Sequence, residues 1–331
     1  MRKTRGFLTV AVCLVLAATV AWADEIAPAP GAFQNLERVE TVLYGGPQPG
    51  GLLERLARAE KDLFGRELPG SLTERQTALL QFLEKGTAGQ PGFLFKLGVA
   101  EWAVAQQVYP TKFAAARLEG LEQLLEGHTQ TGPLAMRLER LVTKLLPSGI
   151  QGTGVSVPAA TLVKVRLLQP LAARFCKTGD KVGLELVDDL RVQGTLVAPR
   201  GSRVAAHVQS VEGPRSFGRP SEVKVTFEYL ETLGMEQIPV LVGEAAKNAT
   251  KLDKSLVGAA GASALGMVLL GPVGLAGGFL VRGDDKTVPA GTQFYLETGQ
   301  AVSVLAYTVP ATLGGGVTPT PAVTSTGAIN P

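Results

Sequence analysis

The chain reads as an α+β protein. Short helical repeats fill its N-terminal half, and an antiparallel β barrel or sandwich with an inserted Gly-rich helical hairpin fills the C-terminal half. Three observations predict this. A unit ending in Leu-x-Gly, with an aromatic at x in the first two copies and Glu126 in the third, recurs at fixed offsets within residues 35–147. Apolar–polar alternation punctuated by Pro/Gly turns runs through residues 153–309. A run of 26 residues without a charge, Leu256–Val281, interrupts that alternation.

With 331 residues the chain has room for two modest domains. A hydrophobic share of 45% places it among globular proteins, and its 40 glycines and 21 prolines come in patches. Residues 1–23 read as a signal peptide. Arg2, Lys3 and Arg5 precede an apolar core, Phe7–Val20, and Ala21-Trp22-Ala23 is a small-x-small cleavage site. Removing three basic residues leaves 32 − 3 = 29 basic against 29 acidic. The excess of positive charge is therefore a targeting feature, and no nucleic-acid partner is expected. Cleavage also leaves Cys176 as the lone thiol, read as buried or half-buried. Residues 24–34 read as a linker. Residues 310–331, rich in Gly, Thr and Pro, read as a disordered tail.

The helical half repeats itself. Glu40, Leu43-Tyr44-Gly45, Pro49-Gly50 and Leu52, Glu54, Arg55 return 20 residues later as Glu60, Leu63-Phe64-Gly65, Pro69-Gly70 and Leu72, Glu74, Arg75. A third copy lies 82 residues from the first: Leu36, Glu40, Leu43, Gly45, Leu52, Arg55 and Leu56 reappear as Leu118, Glu122, Leu125, Gly127, Leu134, Arg137 and Leu138. Each copy reads as a helix ended by a left-handed Gly, a short loop, and a new helix; Ser71-x-x-Glu74 forms a capping box. The Glu and Arg that open the new helix are expected in solvent, with the Leu residues facing a partner helix. A further helix over Phe93–Val108, with Trp102, links copies two and three.

This unit resembles a short repeat of exported bacterial envelope proteins, which occurs beside surface-layer or peptidoglycan-associated modules. The likeness covers residues 35–75 and 118–141. It implies a location in the envelope and no chemistry.

In the β half, Val157-Pro158-Ala159-Ala160-Thr161, Val197-Ala198-Pro199-Arg200-Gly201-Ser202 and Val288-Pro289-Ala290-Gly291-Thr292 share a turn, each followed by alternation. The order of turns and strands resembles the C-terminal β domain of the outer-membrane subunit of type IV secretion and conjugation systems. That resemblance implies a pore-forming ring. It assigns the turn to Pro199-Arg200-Gly201-Ser202 and the family's inserted helical hairpin to Leu256–Val281.

The apolar run carries small residues at helical spacing, Gly258, Ala262, Gly266 and then Gly274, Gly278, which allow close helix packing. A single crossing would put strands of one domain on opposite sides of a membrane. A hairpin bent at Gly271-Pro272 keeps them together, with arms of roughly 20 Å against a bilayer core of roughly 30 Å. These five residues form the expected assembly or membrane face.

Chemistry is sparse. His128 reads as a loop residue and His207 as a strand-face residue. Asp188-Asp189 and Asp284-Asp285 read as surface turns, and Gly213–Gly218 as a hairpin loop. No zinc spacing and no nucleophile elbow occurs in the sequence. The expectation is a non-enzymatic exported envelope protein in the periplasm or outer envelope. It has no catalytic, cofactor or metal residue, and it self-associates or binds other envelope proteins, with possible membrane contact. A ring-forming component of a secretion or conjugation apparatus is the second reading, and an enzyme acting on wall polysaccharide the third.

Overall fold

Each helical unit is one amphipathic helix whose buried stripe is too narrow to stand alone. The computed structural model describes residues 30–87, 89–212, 221–253, 268–270, 279–282 and 287–310. The signal peptide, residues 311–331 of the tail, Gly213–Gly218 and Asp284-Asp285 lie outside the described residues. Six helices come first: α1 (Pro30–Tyr44), α2 (Leu52–Phe64), α3 (Leu72–Leu80, continued by a π-helical turn Gln81–Lys85), α4 (Phe93–Ala105), α5 (Ala114–Glu126) and α6 (Leu134–Leu145). α1 starts inside the segment read as a linker, because Pro30 suits a first helical turn, where no amide hydrogen is needed.

α4 is a fourth copy of the unit and not a bridge between copies. Glu101 lies 61 residues after Glu40, and Arg117, Glu122 and Arg137 lie 62 after Arg55, Glu60 and Arg75. α1–α3 and α4–α6 are thus two versions of one three-helix half. The stripe of Leu36, Leu43, Leu56, Leu63, Leu97, Leu118 and Leu138 fills their common core.

What joins helix to helix is a buried ion pair. Glu40, Glu60, Glu101 and Glu122 stand in the last turns of α1, α2, α4 and α5, and all are buried. Arg55, Arg75, Arg117 and Arg137 at the start of the next helix each grip the preceding Glu with two hydrogen bonds of 2.6–2.9 Å. The same carboxylates accept the loop amides of Gln48, Leu68, Tyr109 and Gln130, each eight residues on, at 2.9–3.3 Å. The expectation of solvated arginines is corrected here. Bidentate pairing and a loop amide satisfy a carboxylate that water cannot reach, so the guanidinium turns inward. The helix-ending glycines have positive φ, and the Ser71–Glu74 capping box is present.

The β half begins with β1 (Gly152–Val157), β2 (Leu162–Leu167), β3 (Leu184–Leu186), β4 (Leu190–Val192), β5 (Thr195–Ala198), β6 (Arg203–Glu212), β7 (Glu222–Glu231) and β8 (Gln237–Leu241). It continues through α7 (Glu244–Leu252), β9 (Val268–Leu270), β10 (Phe279–Arg282), β11 (Gln293–Thr298) and β12 (Val302–Thr308). Six strands in the order β6-β3-β2-β11-β8-β7 close into an antiparallel barrel through the β6–β7 pairing. β1-β12-β5-β4 form a second, curled sheet. The alternation sets the faces: Val163, Val165 and Leu167 of β2 point into the barrel core, and Lys164 and Arg166 point outward.

The three turns expected to be alike are alike. Pro158, Pro199 and Pro289 each supply a carbonyl to the residue three positions on, and Ala160, Gly201 and Gly291 take positive φ. At Gly201 two requirements coincide. Its φ is +85°, and a Cβ there would lie 2.3 Å from the Val108 carbonyl oxygen, where the loop after α4 rests on the barrel.

The inserted helical hairpin needs correction where it is described. Val268–Leu270 and Phe279–Arg282 are extended, pair antiparallel with each other, and continue the sheet from β7. Along β7, β8 reaches only Tyr229–Glu231, so the first half of the ten-residue β7 offers an unpaired edge, which Phe279–Arg282 fills against Glu222–Val225. Two apolar triplets, Val-Leu-Leu and Phe-Leu-Val, beside such an edge gain a hydrogen-bonded ladder that a Gly-rich helix, with its low propensity, does not offer. Gly258, Ala262, Gly266, Gly274 and Gly278 lie outside the described residues.

Candidate functional site

The chain reaches the apolar run from a defined root. α7 lies across β2 and β11 with Ala246 and Thr250 buried against them. The Glu297 carboxylate accepts the Ala246 amide at 2.8 Å, placing negative charge at the helix N-terminus. Thr250 accepts the Tyr295 amide through its hydroxyl oxygen at 3.0 Å. At the end of α7, Asp253 accepts from the Lys164 ammonium and from the Tyr295 hydroxyl, both at 2.9 Å, and Lys164 lies over the Tyr295 ring. Burial, and then the hydrogen bond to Asp253 and its charge, push the Tyr295 hydroxyl up to about 12. Tyr295 thus remains a donor to Asp253 through the physiological range.

The chain comes back to the same barrel. β10 lies along β7, and Val288 exchanges backbone hydrogen bonds with Leu171 at 2.8 and 2.9 Å. Both ends of the insertion are therefore tied to one β unit. Among the described residues no helix is long and apolar enough to cross a membrane.

The helical array and the β half meet along α4, which is buried on both sides. Trp102 donates its indole N–H to Asp189 at 2.9 Å, packs edge-on against Tyr307, and carries the Arg191 guanidinium over its ring. Asp189 also accepts the Arg200 amide at 2.9 Å and Arg191 at 3.1 Å. Asp189 is thus not a surface-turn acid. Its role was hidden because the indole it serves is 87 residues away.

Beside this junction a groove of about 560 Å³ runs between the α4–α5 loop, at Pro110 and Thr111, and the outer face of β6 and β7. His207 lies in it as the strand-face residue expected, with Nδ1 2.8 Å from the Glu228 carboxylate. Lys181 and Arg203 line the same groove. His128 is an exposed loop residue whose Nδ1–H donates to the Glu126 carbonyl at 2.9 Å. The structure leaves the two histidines on separate elements, His128 after α5 and His207 on β6. Cys176 is half-buried against the barrel core. Among the described residues no three His, Cys, Asp or Glu side chains converge on a metal-sized site.

No family model matches the chain, and no curated protein does. Among solved structures it is similar to ComB10 of the Com type IV secretion system of Helicobacter pylori. The likeness spans 48% of this chain and 93% of that one, at 12% identity and a TM-score of 0.24. A superposition that loose transfers neither residue roles nor activity.

Proposed function

We propose that the protein is a non-enzymatic component of the cell envelope, in which a rigid helical array and a β barrel hold out an apolar insertion for assembly or membrane contact. One observation carries this reading. The charge-free run Leu256–Val281 departs at Asp253 and returns through β10 to the same barrel. That topology suits a segment presented to a partner and not a single membrane anchor. The signal sequence and the likeness of the repeats to those of exported envelope proteins support an extracytoplasmic location. Ring formation within a secretion apparatus is the finer form of the same reading, supported by the resemblance of the β half to an outer-membrane subunit.

The test replaces residues 256–281 with a short Gly/Ser turn and, separately, changes Gly266→Leu and Gly274→Leu. Circular dichroism checks folding; sedimentation and membrane fractionation check assembly. The expected outcome is an intact fold with lost oligomerisation or lost membrane association. Unchanged oligomer size and unchanged fractionation in all three variants overturn the proposal.

A further inference from the structure

The helical array has a used face and an unused copy of that face. The residue after α1, Gly45, is covered by Phe113 at the N-cap of α5, whose ring lies 3.2 Å from where a Cβ would stand. The residue after α2, Gly65, is covered in the same way by Pro133 at the N-cap of α6, at 2.8 Å. Each contact spans 68 residues, and each joins the first three-helix half to the second. The leucines behind these glycines, Leu43 and Leu63, are 0% exposed.

Of the two equivalent positions in the second half, the one at the end of α5 is bare, while the loop after α4 is already held by the β half, with the Val108 amide donating to the Arg200 carbonyl at 2.9 Å. Gly127, which ends α5 as Gly65 ends α2, has nothing within 4 Å of its Cβ position. Leu125, the counterpart of Leu63, is 40% exposed, and Leu124 beside it is 64% exposed. The complementary surface is also bare at the other end. Gly51 and Ser71, the N-caps of α2 and α3, correspond to Phe113 and Pro133, and both are exposed. Leu53 of α2 is 63% exposed, while its counterpart in α5, Ala115, packs on the helical core.

We infer that a second copy of this chain docks head-to-tail on the array, its α2 and α3 N-termini covering the C-terminal end of α5. The contact repeats one the molecule already makes within itself. Ser71 of the incoming copy sits at Gly127 as Pro133 sits at Gly65, and Leu53 adds apolar surface to the gap beside Leu124 and Leu125. Stacked repeats bury a continuous core only while a neighbour follows, and a terminal unit without a polar cap exposes its interface. Since the two surfaces differ, the contact is heterologous and propagates into a ring or a filament. It is separate from the apolar insertion 256–281.

Sedimentation velocity over a concentration series of the full chain tests this. Leu125→Glu blocks the trailing face and Leu53→Glu the leading face. Both side chains are exposed, so circular dichroism should be unchanged. Leu252→Glu, 78% exposed on α7, is the control. The expected result is concentration-dependent association in the unaltered chain and in Leu252→Glu, weakened at least tenfold in each of the other two variants. Mixing Leu125→Glu with Leu53→Glu leaves one intact pair of faces and should give a dimer and nothing larger. A monomeric unaltered chain overturns the inference. So does association untouched by Leu125→Glu and Leu53→Glu, including association abolished only by removing residues 256–281, and so does a mixture that fails to dimerise.

Discussion

Removing the carboxylate of Glu60 should cost the helical array far more than removing an exposed one. In the unaltered chain that carboxylate is buried, and it holds Arg75 at 2.8 and 2.6 Å and the Leu68 amide at 3.2 Å. Glu60→Ala leaves the guanidinium, whose side chain is 13% exposed, with only the looser contact to the half-exposed Glu67 at 3.7 Å, and orphans a loop amide. Breaking one side of a buried pair costs roughly 3–5 kcal/mol, and the orphaned amide adds to that. Glu54, paired with Arg58 on the surface at 3.0 Å, is the internal control, because an exposed pair contributes at most about 1 kcal/mol. Urea unfolding followed by helical circular dichroism, with Trp102 fluorescence as second probe, measures both variants. A double variant, Glu60→Leu with Arg75→Met, should recover most of the loss, since neither ion is then stranded. A Glu60→Ala penalty no larger than that of Glu54→Ala would refute the reasoning.

Three further outcomes are expected. Gln76 occupies the stripe position held by Leu56 and Leu138, is fully buried, and has neither side-chain polar atom hydrogen-bonded; Gln76→Leu should stabilise by about 1–3 kcal/mol, and a lower urea midpoint would sink that claim. Burial pushes the Glu122 carboxyl up, but the Arg137 hydrogen bonds, the Gln130 amide and the charges of Arg137 and Arg140 outweigh it and hold the group below the ordinary carboxylate range. Its contribution is therefore full above the unfolded value and lost as pH falls through the depressed folded value; a pH series of unfolding midpoints should show this acid-side loss, and Arg137→Gln should shrink it. Gly201→Ala meets both a positive φ and the Val108 carbonyl and should cost upwards of ~2 kcal/mol, against about 1 kcal/mol for Gly149→Ala, which has positive φ and open space; equal costs would show that the contact with Val108 is unimportant.

Much of the architecture is legible in the residue pattern. The repeat offset of 20, the left-handed glycines, the capping box at Ser71 and the three proline turns all rest on interactions within a few residues. Alternation in β2 and β7 sets inward and outward faces without reference to the rest of the fold. The fourth repeat copy escaped because its marks are displaced: Gln106 stands where Gly stands elsewhere, also at positive φ, and Arg117 follows Glu101 by 16 residues where the other pairs are separated by 15. A search tolerant of one inserted loop residue would have found it through the Glu–Pro–Arg spacing.

By itself the sequence determined the α+β division, the helical units and the strand periodicity, because propensity, capping and turn chemistry act locally. It also marked Leu256–Val281 as exceptional. Only the tertiary structure decided what the polar residues do. Glu40, Glu60, Glu101 and Glu122 became buried clamps, and Asp189 became the pin beneath Trp102, because their partners arrive from other helices or from the opposite half of the chain. It decided as well that the described parts of the apolar run are strands. A short apolar segment satisfies its backbone equally well as helix or as sheet, and the choice falls to whichever neighbour offers an open edge, here the unpaired first half of β7.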